Sequence, residues 1–578
     1  RFKTVNELTE VRGIGKSTVN NLRPYLTIGT RQEVRMDMLT SYNYWIHDSH
    51  VEVFSRYQRN LQEPRGYKIP DSSGGYLGPP GKYYQRFRYW SNHLSLNLTQ
   101  DKDPGEQLGG PTDFDYNSWH FAIEEAGPLQ TLVVGDYSLS FGQGLVFWDN
   151  GAFGKGPNVI DATHRSERGI SPYTSSMETG YMRGVAATVG NKLQGSFFYS
   201  KRSRNASSLN GDTLRFPSES GYTRTENELE RVDAVNERVV GGRVRYETPI
   251  GWVGATGYQV HFDEYIGASD AIYDLYDFTG QNHSAFGVDY RFLFQGLAVF
   301  GEGVRSQNGA YGAVAGFAAP LDDRTEITAA YRAYSKKLQS MYGQGFGEQS
   351  SDPGNERGFY VALEHQPTYW LTFYGYFDQY SFPAPRFGLN QPTSGFDWLA
   401  KTEVEVSGDL NFYLMGRSEL REEEFTVQTD MGRLARRVDE ARRTSLRLQF
   451  EYQVNRNVRL RSRGEWVESA RPGRQAEQGY LLYQDLRYII TPKIKLDVRL
   501  TAFDTESYDT RVYQFENDLL YVFAVPALYD EGQRMYLLLN YEPKPYLEFW
   551  AKYGYTRYEN ALTIGSGLNE LQRKSKSE

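Results

Sequence analysis

The residues with the clearest chemical potential lie near the start of the chain, in the sequence RGIGK. Gly13, Ile14, Gly15 and Lys16 stand between two short stretches that are predicted to be helical. Two glycines permit a tight turn that leaves backbone amides free at the start of the second helix, and such amides bind phosphate oxygens. These four residues are therefore the candidate DNA phosphate-binding residues. The alternative is a helical hairpin that contacts a protein partner.

The charge of the chain limits what this hairpin can do. Its first thirty residues contain five Lys or Arg and two Glu, a local charge of +3, whereas the whole chain has a net charge of -8. A protein with this balance has no general attraction for nucleic acid. Any DNA binding would have to be local, and contacts to the backbone would not read sequence.

A second set of basic residues occurs in the sequence VRLRSRGEW. Arg459, Arg461 and Arg463 alternate with other residues, so on a strand they share one face. We predict that they face the interior of a barrel and form a wall that attracts anions, unless acidic residues on neighbouring strands neutralise them.

Two further patterns are typical of metal sites but are better explained without a metal. His47 and His50 are expected to lie in a turn between the first two strands, with no third ligand in view. Four residues, Asp113, Asp115, Asn117 and Glu124, have the spacing of positions one, three, five and twelve of a calcium loop. The residues before Glu124, however, predict a strand that would carry it away from the others. We expect no metal and no cofactor.

The sequence contains no nucleophile elbow and no compact set of nucleophile and base. It also contains no Cys, which excludes disulfides and thiol chemistry. We therefore expect that the protein is not an enzyme.

From Arg31 onward the dominant period of the sequence is two. In LRLQFEY (446–452), for example, apolar residues alternate with Arg, Gln and Glu. This pattern predicts strands with one apolar and one polar face. Many such segments last about ten residues, which is the length of a strand that crosses a bilayer.

The connections between these segments alternate between short and long. Short turns are predicted at 191–192, 249–251, 295–296, 366–368, 408–409, 455–457 and 491–493. Long loops are predicted at 202–237, 264–281, 336–355, 381–394 and 423–441. Outer-membrane barrels have short periplasmic turns and long extracellular loops, so the N-terminal hairpin is expected to be periplasmic.

The predicted fold class is therefore all-β: a large transmembrane antiparallel β-barrel that follows a short helix-hairpin-helix segment. The hairpin segment is residues 1–29 and the barrel is residues 30–578. About 24 strands can be counted, and a further strand that would end in an aromatic residue is expected to be missing at the end. The missing strand would make the total odd, whereas closure requires an even number, so one segment must have been miscounted as a strand or overlooked. We predict 22–26 strands and expect this error in residues 505–523.

A barrel of this width cannot be filled by ordinary side chains, so its lumen is either open or plugged. Residues 140–180 are rich in Gly and lack the alternation. They are predicted to be either an infolded loop or plug, or a long extracellular loop.

Bulk composition agrees with an outer-membrane protein. Aromatic residues make up 15% of the chain, with 45 Tyr and 57 Gly, which fits aromatic girdles on a barrel with a wet interior. Because the chain begins at Arg1 without a charged and apolar leader, we expect that a signal peptide has been removed.

The hairpin resembles that of competence DNA receptors of the ComEA type. Together with VVGDYSLSFGQGLVFW (133–148) and TIGSGLNEL, it makes most of the chain resemble Bacteroidota-type outer-membrane proteins with a helix-hairpin-helix segment. This resemblance implies a porin-like barrel with a periplasmic hairpin, and it implies that Gly13 to Lys16 contact phosphate.

Two functions follow as alternatives. In the first, the protein is an outer-membrane pore or envelope subunit linked to DNA binding or uptake. In the second, it is a structural or transport subunit of a larger complex, and the hairpin docks a protein. The expected partners are outer-membrane lipid and either DNA or other envelope proteins.

Overall fold

The computed structural model describes residues 41–108, 114–149, 151, 154–210, 213–216, 221–349, 353–428 and 432–578. The predicted hairpin at residues 1–29 lies outside these residues. Two short α-helices are described, α1 (Tyr42–Ile46) and α2 (Glu226–Leu229). No helix in the described part of the chain is long and apolar enough to cross a membrane.

The rest of the described structure is mostly strand, in chain order as follows. The first ten strands are β1 (His50–Arg59), β2 (Gly81–Trp90), β3 (Leu94–Lys102), β4 (Tyr116–Ala126), β5 (Leu129–Ser140), β6 (Gly169–Pro172), β7 (Met182–Gly190), β8 (Leu193–Arg204), β9 (Ser207–Asn210) and β10 (Thr213–Arg215). The next ten are β11 (Val235–Thr248), β12 (Gly251–Ile266), β13 (Gly280–Phe294), β14 (Leu297–Ser306), β15 (Tyr311–Asp322), β16 (Thr325–Tyr334), β17 (Glu356–Thr368), β18 (Leu371–Phe382), β19 (Thr393–Ser407) and β20 (Leu410–Gln428). The last nine are β21 (Leu434–Asn455), β22 (Val458–Ala470), β23 (Glu477–Thr491), β24 (Ile494–Thr505), β25 (Val512–Tyr513), β26 (Ala527–Leu528), β27 (Glu531–Lys544), β28 (Leu547–Tyr558) and β29 (Ser575–Ser577).

All of these strands except β25 and β26 belong to one sheet of 27 strands. Consecutive long strands pair antiparallel, and β6, β9 and β10 are short strands within loops, which leaves 24 strands around the barrel among the described residues. The two ends of the sheet lie close together: the N–H of Leu61, just after β1, donates to the Ser577 carbonyl of β29 at 2.9 Å, and the ring of Phe54 on β1 lies 6.0 Å from Trp550 on β28.

Exposure of the side chains shows which face meets lipid. On β17, Phe359, Val361 and Leu363 are about 40% exposed or more, whereas the alternate residues Tyr360 and Ala362 are buried. Charged residues show the reverse of the arrangement in a soluble protein, because many of the most buried side chains are Arg, Asp and Glu that face inward. An apolar outside and a polar inside are typical of an outer-membrane barrel. The predicted fold class is confirmed, and the protein is an outer-membrane barrel.

The turns at one end follow from local chemistry. Between β13 and β14, Gln295 and Gly296 have φ values of 50° and 85°, which is the pattern of the type I′ turn that suits a right-twisted hairpin. At the opposite end, the described residues include parts of four predicted long loops, those between β8 and β11, β12 and β13, β16 and β17, and β18 and β19.

The fifth predicted long loop, 423–441, is wrong. The pairing of β20 with β21 continues to Gln428 opposite Leu434, well beyond the ends of the neighbouring strands. Opposite charges across this ribbon, such as Arg436 with Glu424 at 3.1 Å, support it in water. The run of charged residues is therefore a projecting hairpin. The strand predicted near 505–523 is absent from the barrel wall. Residues 506–530 contain only the short strands β25 and β26, which do not belong to the large sheet.

Candidate functional site

The lumen contains a first infolded segment, which follows β5 and consists of the described residues 141–149 and 154–168. Its apolar part packs against the inner wall around Phe147, whose ring lies 5.1 Å from Phe198, 4.9 Å from Tyr258 and 5.2 Å from Tyr342. Phe198 is on β8 and Tyr258 is on β12, whereas Tyr342 belongs to the long loop after β16. A large aromatic cluster of this kind contributes several kcal/mol by burial alone, on the order of 2 kcal/mol per ring.

A buried carboxylate on β14 fixes the turn of the first infolded segment. Glu302 accepts backbone N–H groups from Gln143 at 2.6 Å, Leu145 at 3.0 Å and Val146 at 3.2 Å. These amides have no partner within a helix or sheet, so the carboxylate satisfies donors that would otherwise be buried and unpaired.

Further along, a lysine of the first infolded segment is inserted among carboxylates. The Nζ of Lys155 lies 2.8 Å from Asp378, 2.8 Å from Glu348 and 3.4 Å from Asp397. Asp378 and Asp397 face inward from β18 and β19, and both are almost fully buried. A buried charge is tolerated only when it is paired in this way.

The end of the first infolded segment lies against β11 and β16. Glu167 accepts from Arg243 at 2.8 Å, and the hydroxyl oxygens of Thr163 and Thr328 are 3.4 Å apart. The segment therefore spans the lumen from β5 to β19.

A second infolded segment, residues 506–530, joins β24 to β27 and lies in the other half of the lumen. Inward-facing guanidinium groups donate to its backbone carbonyls: Arg443 to Arg511 at 2.7 Å, Arg463 to Tyr513 at 3.1 Å, Arg499 to Phe515 at 2.6 Å and Arg56 to Tyr521 at 3.2 Å. Hydrogen bonds from a charged donor are about twice as strong as neutral ones.

The second infolded segment also supplies two carboxylates to basic residues of the wall. Glu516 accepts from Arg534 at 2.7 Å, and Lys552 lies 3.3 Å from Glu516 and 2.7 Å from Asp518. Arg534 and Lys552 face inward from β27 and β28. Both infolded segments are thus held to the wall by side-chain contacts, which can break without opening the sheet.

Carboxyl groups of the loops that follow β3 and β6 lie close enough to one another to repel, among them Glu106, Asp115 and Glu178. Glu106 accepts N–H groups from Asp103 at 2.6 Å and Thr223 at 3.1 Å. Burial, followed by repulsion from Asp115, raises the pKa of Glu106 to about 7 and the pKa of Glu178 to about 9. These loops are therefore most stable when the two groups are protonated.

The structure places Arg459, Arg461 and Arg463 on the lumen side of β22, where Arg463 contacts the second infolded segment. Each lies beside a carboxylate of the wall. Arg459 and Arg461 share Glu451, at 3.4 Å and 2.7 Å, and Arg463 pairs with Glu465.

The other predicted sites are only partly described. Gly13, Ile14, Gly15 and Lys16 lie outside the described residues. Helix α1, however, packs on the short turn between β2 and β3, where the ring of Tyr44 stacks on His93 at 4.1 Å. The chain therefore enters the barrel from the end with short turns, which is the periplasmic end.

The candidate metal ligands do not come together. The expected position of the histidines is wrong, because both lie before the β1–β2 connection: His47 follows α1 and His50 begins β1. Glu124 is on β4, as the sequence predicts, and Asp113 is outside the described residues. Within the described ranges, no group of three His, Cys, Asp or Glu could hold a metal.

The wall carboxylates Glu302, Asp378 and Asp397 and the arginines Arg443 and Arg499 were not predicted from the sequence. All but Arg443 are isolated charges in alternating strands, where they resemble ordinary solvent-facing residues, and Arg443 ends the run of charged residues in β21. The one feature of the sequence that could indicate such lumen-facing charges is a nearby connection between strands that is too long for a turn and could therefore fold into the lumen.

Comparisons with known proteins agree with a barrel but are distant. No protein-family model matches the chain, and no curated protein matches it. Similar solved structures include a copper transporter, with 10% identity and a TM-score of 0.42 over 91% of this chain and 82% of that chain. Others are a mutant ferric enterobactin receptor from Pseudomonas aeruginosa, with 10% identity and a TM-score of 0.41 over 92% and 79%, and a siderophore receptor from Acinetobacter baumannii, with 8% identity and a TM-score of 0.39 over 92% and 79%.

At these identities and TM-scores, the likeness says nothing about a solute. The barrel assignment rests on strand pairing and side-chain exposure in this chain. The resemblance to ComEA-type and Bacteroidota-type proteins has no counterpart in these comparisons.

Proposed function

We propose that the protein is a gated outer-membrane conduit and not an enzyme. The observation that carries the proposal is the first infolded segment, which crosses the lumen but is anchored by Lys155, Glu167 and the carboxylate of Glu302. Such contacts exchange between protein and water, so the segment can move while the wall stays intact.

A disulfide lock tests this proposal. The chain has no Cys, and the hydroxyls of Thr163 and Thr328 are 3.4 Å apart, so Thr163→Cys with Thr328→Cys is placed for a disulfide. The protein would be reconstituted in liposomes together with Lys155→Glu, which is expected to release the segment. Permeation of a small sugar should be low when the disulfide is oxidised and should rise on reduction.

The control for the lock is Lys192→Glu, at the short turn between β7 and β8, which should not increase permeation in the oxidised or the reduced state. Equal permeation of the oxidised and reduced Lys155→Glu protein would contradict the gate. Each sample is first checked for a folded barrel by its heat-dependent gel mobility.

For the hairpin, we propose a periplasmic tether. Its sequence offers amides and Lys16 to a phosphate, and the described chain starts at the periplasmic rim. The tether either holds DNA, as part of DNA uptake, or docks an envelope protein. The rim position is compatible with both.

Duplex DNA binding by the purified protein across a salt series separates the two. A phosphate grip predicts an affinity that falls log-linearly with salt and is reduced by Lys16→Glu. Binding without that salt dependence, or unaffected by the substitution, would leave the protein partner as the proposal.

A further inference from the structure

A cavity of about 590 Å³ opens at the short-turn end of the barrel, around the turn between β21 and β22. Its lining includes Arg456, Arg459 and Arg487, the amide side chains of Gln453 and Asn457, and a single carboxylate, Asp409. Guanidinium and amide N–H groups are donors, and guanidinium groups match the oxygens of a carboxylate or phosphate.

An arginine track leads from this cavity to the second infolded segment. The track consists of Arg459, Arg461 and Arg463, which follow one another on the same face of β22 at intervals of about 7 Å. Its upper end, Arg463, donates to the carbonyl of Tyr513 in the second infolded segment, and its lower end, Arg459, lines the cavity.

The carboxylates beside the track do not neutralise it. Glu451 serves both Arg459 and Arg461, and Glu465 serves both Arg463 and Arg447. Each group of two arginines and one glutamate therefore carries a net charge of +1.

A separate ion pair, Arg487 with Asp497 at 2.7 Å, is balanced. The Nε atoms of Arg459 and Arg463 are buried and have no hydrogen-bond partner. Unsatisfied donors beside a surplus of positive charge favour an oxyanion.

We propose that the cavity and the arginine track bind the oxyanion group, carboxylate or phosphate, of a small anionic solute. The cavity holds the group at the periplasmic mouth, and the track extends the same chemistry to the second infolded segment. As a solute path the proposal rests on the conduit function, but binding at the mouth does not require the lumen to open.

The test is a titration of the full-length, detergent-solubilised protein with inorganic phosphate, followed by 31P NMR line width. Saturable binding is expected, and salt should weaken it. The double variant Arg459→Gln with Arg487→Gln should bind roughly tenfold or more weakly, because each loses a charge-assisted donor. Arg305→Gln, on the outer face of β14, is the matched control and should bind like the wild type.

A second variant is expected to bind phosphate more tightly, a result that misfolding would not produce. Glu451→Gln removes the carboxylate that Arg459 and Arg461 share, so phosphate should bind roughly tenfold more tightly. No saturable binding by the wild type, or equal affinity in all variants, would overturn the proposal. Because no transport is measured, phosphate binding that survives while the disulfide lock fails would separate this site from the conduit.

Mass spectrometry of the purified protein distinguishes the two sources of an oxyanion. An anionic phospholipid that is retained by the wild type and lost in the double variant would assign the site to a lipid headgroup and overturn the solute assignment. Phosphate binding without retained lipid supports the solute.

Discussion

The two infolded segments occupy the same lumen, but the charged wall groups that bind their backbones have opposite signs, although the first segment also pairs its Glu167 with the wall cation Arg243. Wall carboxylates hold the first: Glu302 accepts backbone amides, and Asp378 and Asp397 surround Lys155. Wall cations hold the second: Arg443 and Arg499 donate to backbone carbonyls.

This difference follows from a simple requirement. An irregular segment inside a barrel brings unpaired backbone groups with it, and each of them needs a partner. The wall can supply acceptors for the amides or donors for the carbonyls. The charged groups that do so are a carboxylate for the first segment and guanidinium groups for the second, while neutral tyrosine hydroxyls serve both: Tyr360 donates to the Val159 carbonyl and Tyr536 accepts from the Asn517 N–H. The anchors described for the two segments also lie on different strands, β11 to β19 for the first and β21 to β28 with β1 for the second, so we expect the segments to move independently.

The largest effect is expected from Lys155→Glu. It places a fourth carboxylate among Asp378, Glu348 and Asp397. Loss of the buried ion pairs of Lys155 should therefore destabilise the docked position of the first infolded segment by about 3 kcal/mol or more. A cysteine introduced by Thr163→Cys should then react with a maleimide on the order of 100-fold faster. A second cysteine reporter, made by Thr510→Cys in the second infolded segment, should react with the maleimide at an unchanged rate.

The controls for this comparison use the same reporters. Lys192→Glu should leave both labelling rates at the wild-type value. If Lys155→Glu accelerated labelling at both positions, the two segments would be coupled and the comparison would fail.

The mirror experiment on the second infolded segment is Glu516→Gln. It removes the charge that Arg534 and Lys552 both contact, at a cost of about 2–3 kcal/mol. Labelling of the reporter at 510 should rise, and labelling of the reporter at 163 should stay constant. The opposite pattern would show that Glu516 stabilises the wall and not the segment.

A smaller effect should come from pH, at the loops that contain Glu106 and Glu178. The pKa values of Glu106 and Glu178 are raised by burial, to about 7 and about 9. A raised pKa in the folded state means that the stability from these groups is present at low pH and is lost as pH rises through those values. Proteolytic cleavage within residues 103–116 should therefore increase between pH 6 and pH 10.

Two variants check the origin of this pH dependence. Glu178→Gln should remove the rise near pH 9, whereas Glu226→Gln in α2 should not alter it. Cleavage that does not vary with pH would contradict the assignment.

The smallest effect is expected from Gly296→Ala. The φ value of 85° at this turn is unfavourable for alanine, so we expect a loss of about 1 kcal/mol in the free energy of unfolding. The maleimide labelling rates of both cysteine reporters should stay the same, because the turn lies at the rim of the barrel and not in the lumen. A change at either reporter would mean that labelling reports on general destabilisation.

Much of the fold could be predicted from the sequence because strand formation is local. The alternation in 446–452 and the turn at Gln295 and Gly296 depend only on neighbouring residues. The projecting hairpin was missed because charged residues on both faces of β20 and β21 remove the apolar alternation, and cross-strand pairs such as Arg436 with Glu424 cannot be seen in one strand alone.

The lumen was harder to predict because its contacts join residues far apart in sequence. Residues 140–180 stand out by their lack of alternation, but nothing local pairs Lys155 with Asp378, 223 residues later. The second infolded segment includes most of residues 505–523, where the sequence predicts a miscounted strand, and aromatic residues such as Phe515 and Phe523 at alternate positions there are also typical of a lipid-facing strand. Arg459, Arg461 and Arg463 could be placed on one face, but their shared carboxylates could not be identified.

Single-channel conductance of Lys155→Glu, Glu516→Gln and the double variant tests the central claim most directly. If two separately anchored segments close two halves of one lumen, each single variant should open a distinct conductance, and the double variant should show about their sum. A double variant that conducts no more than one single variant, or single variants that each open the full conductance, would contradict separate closure by the two infolded segments.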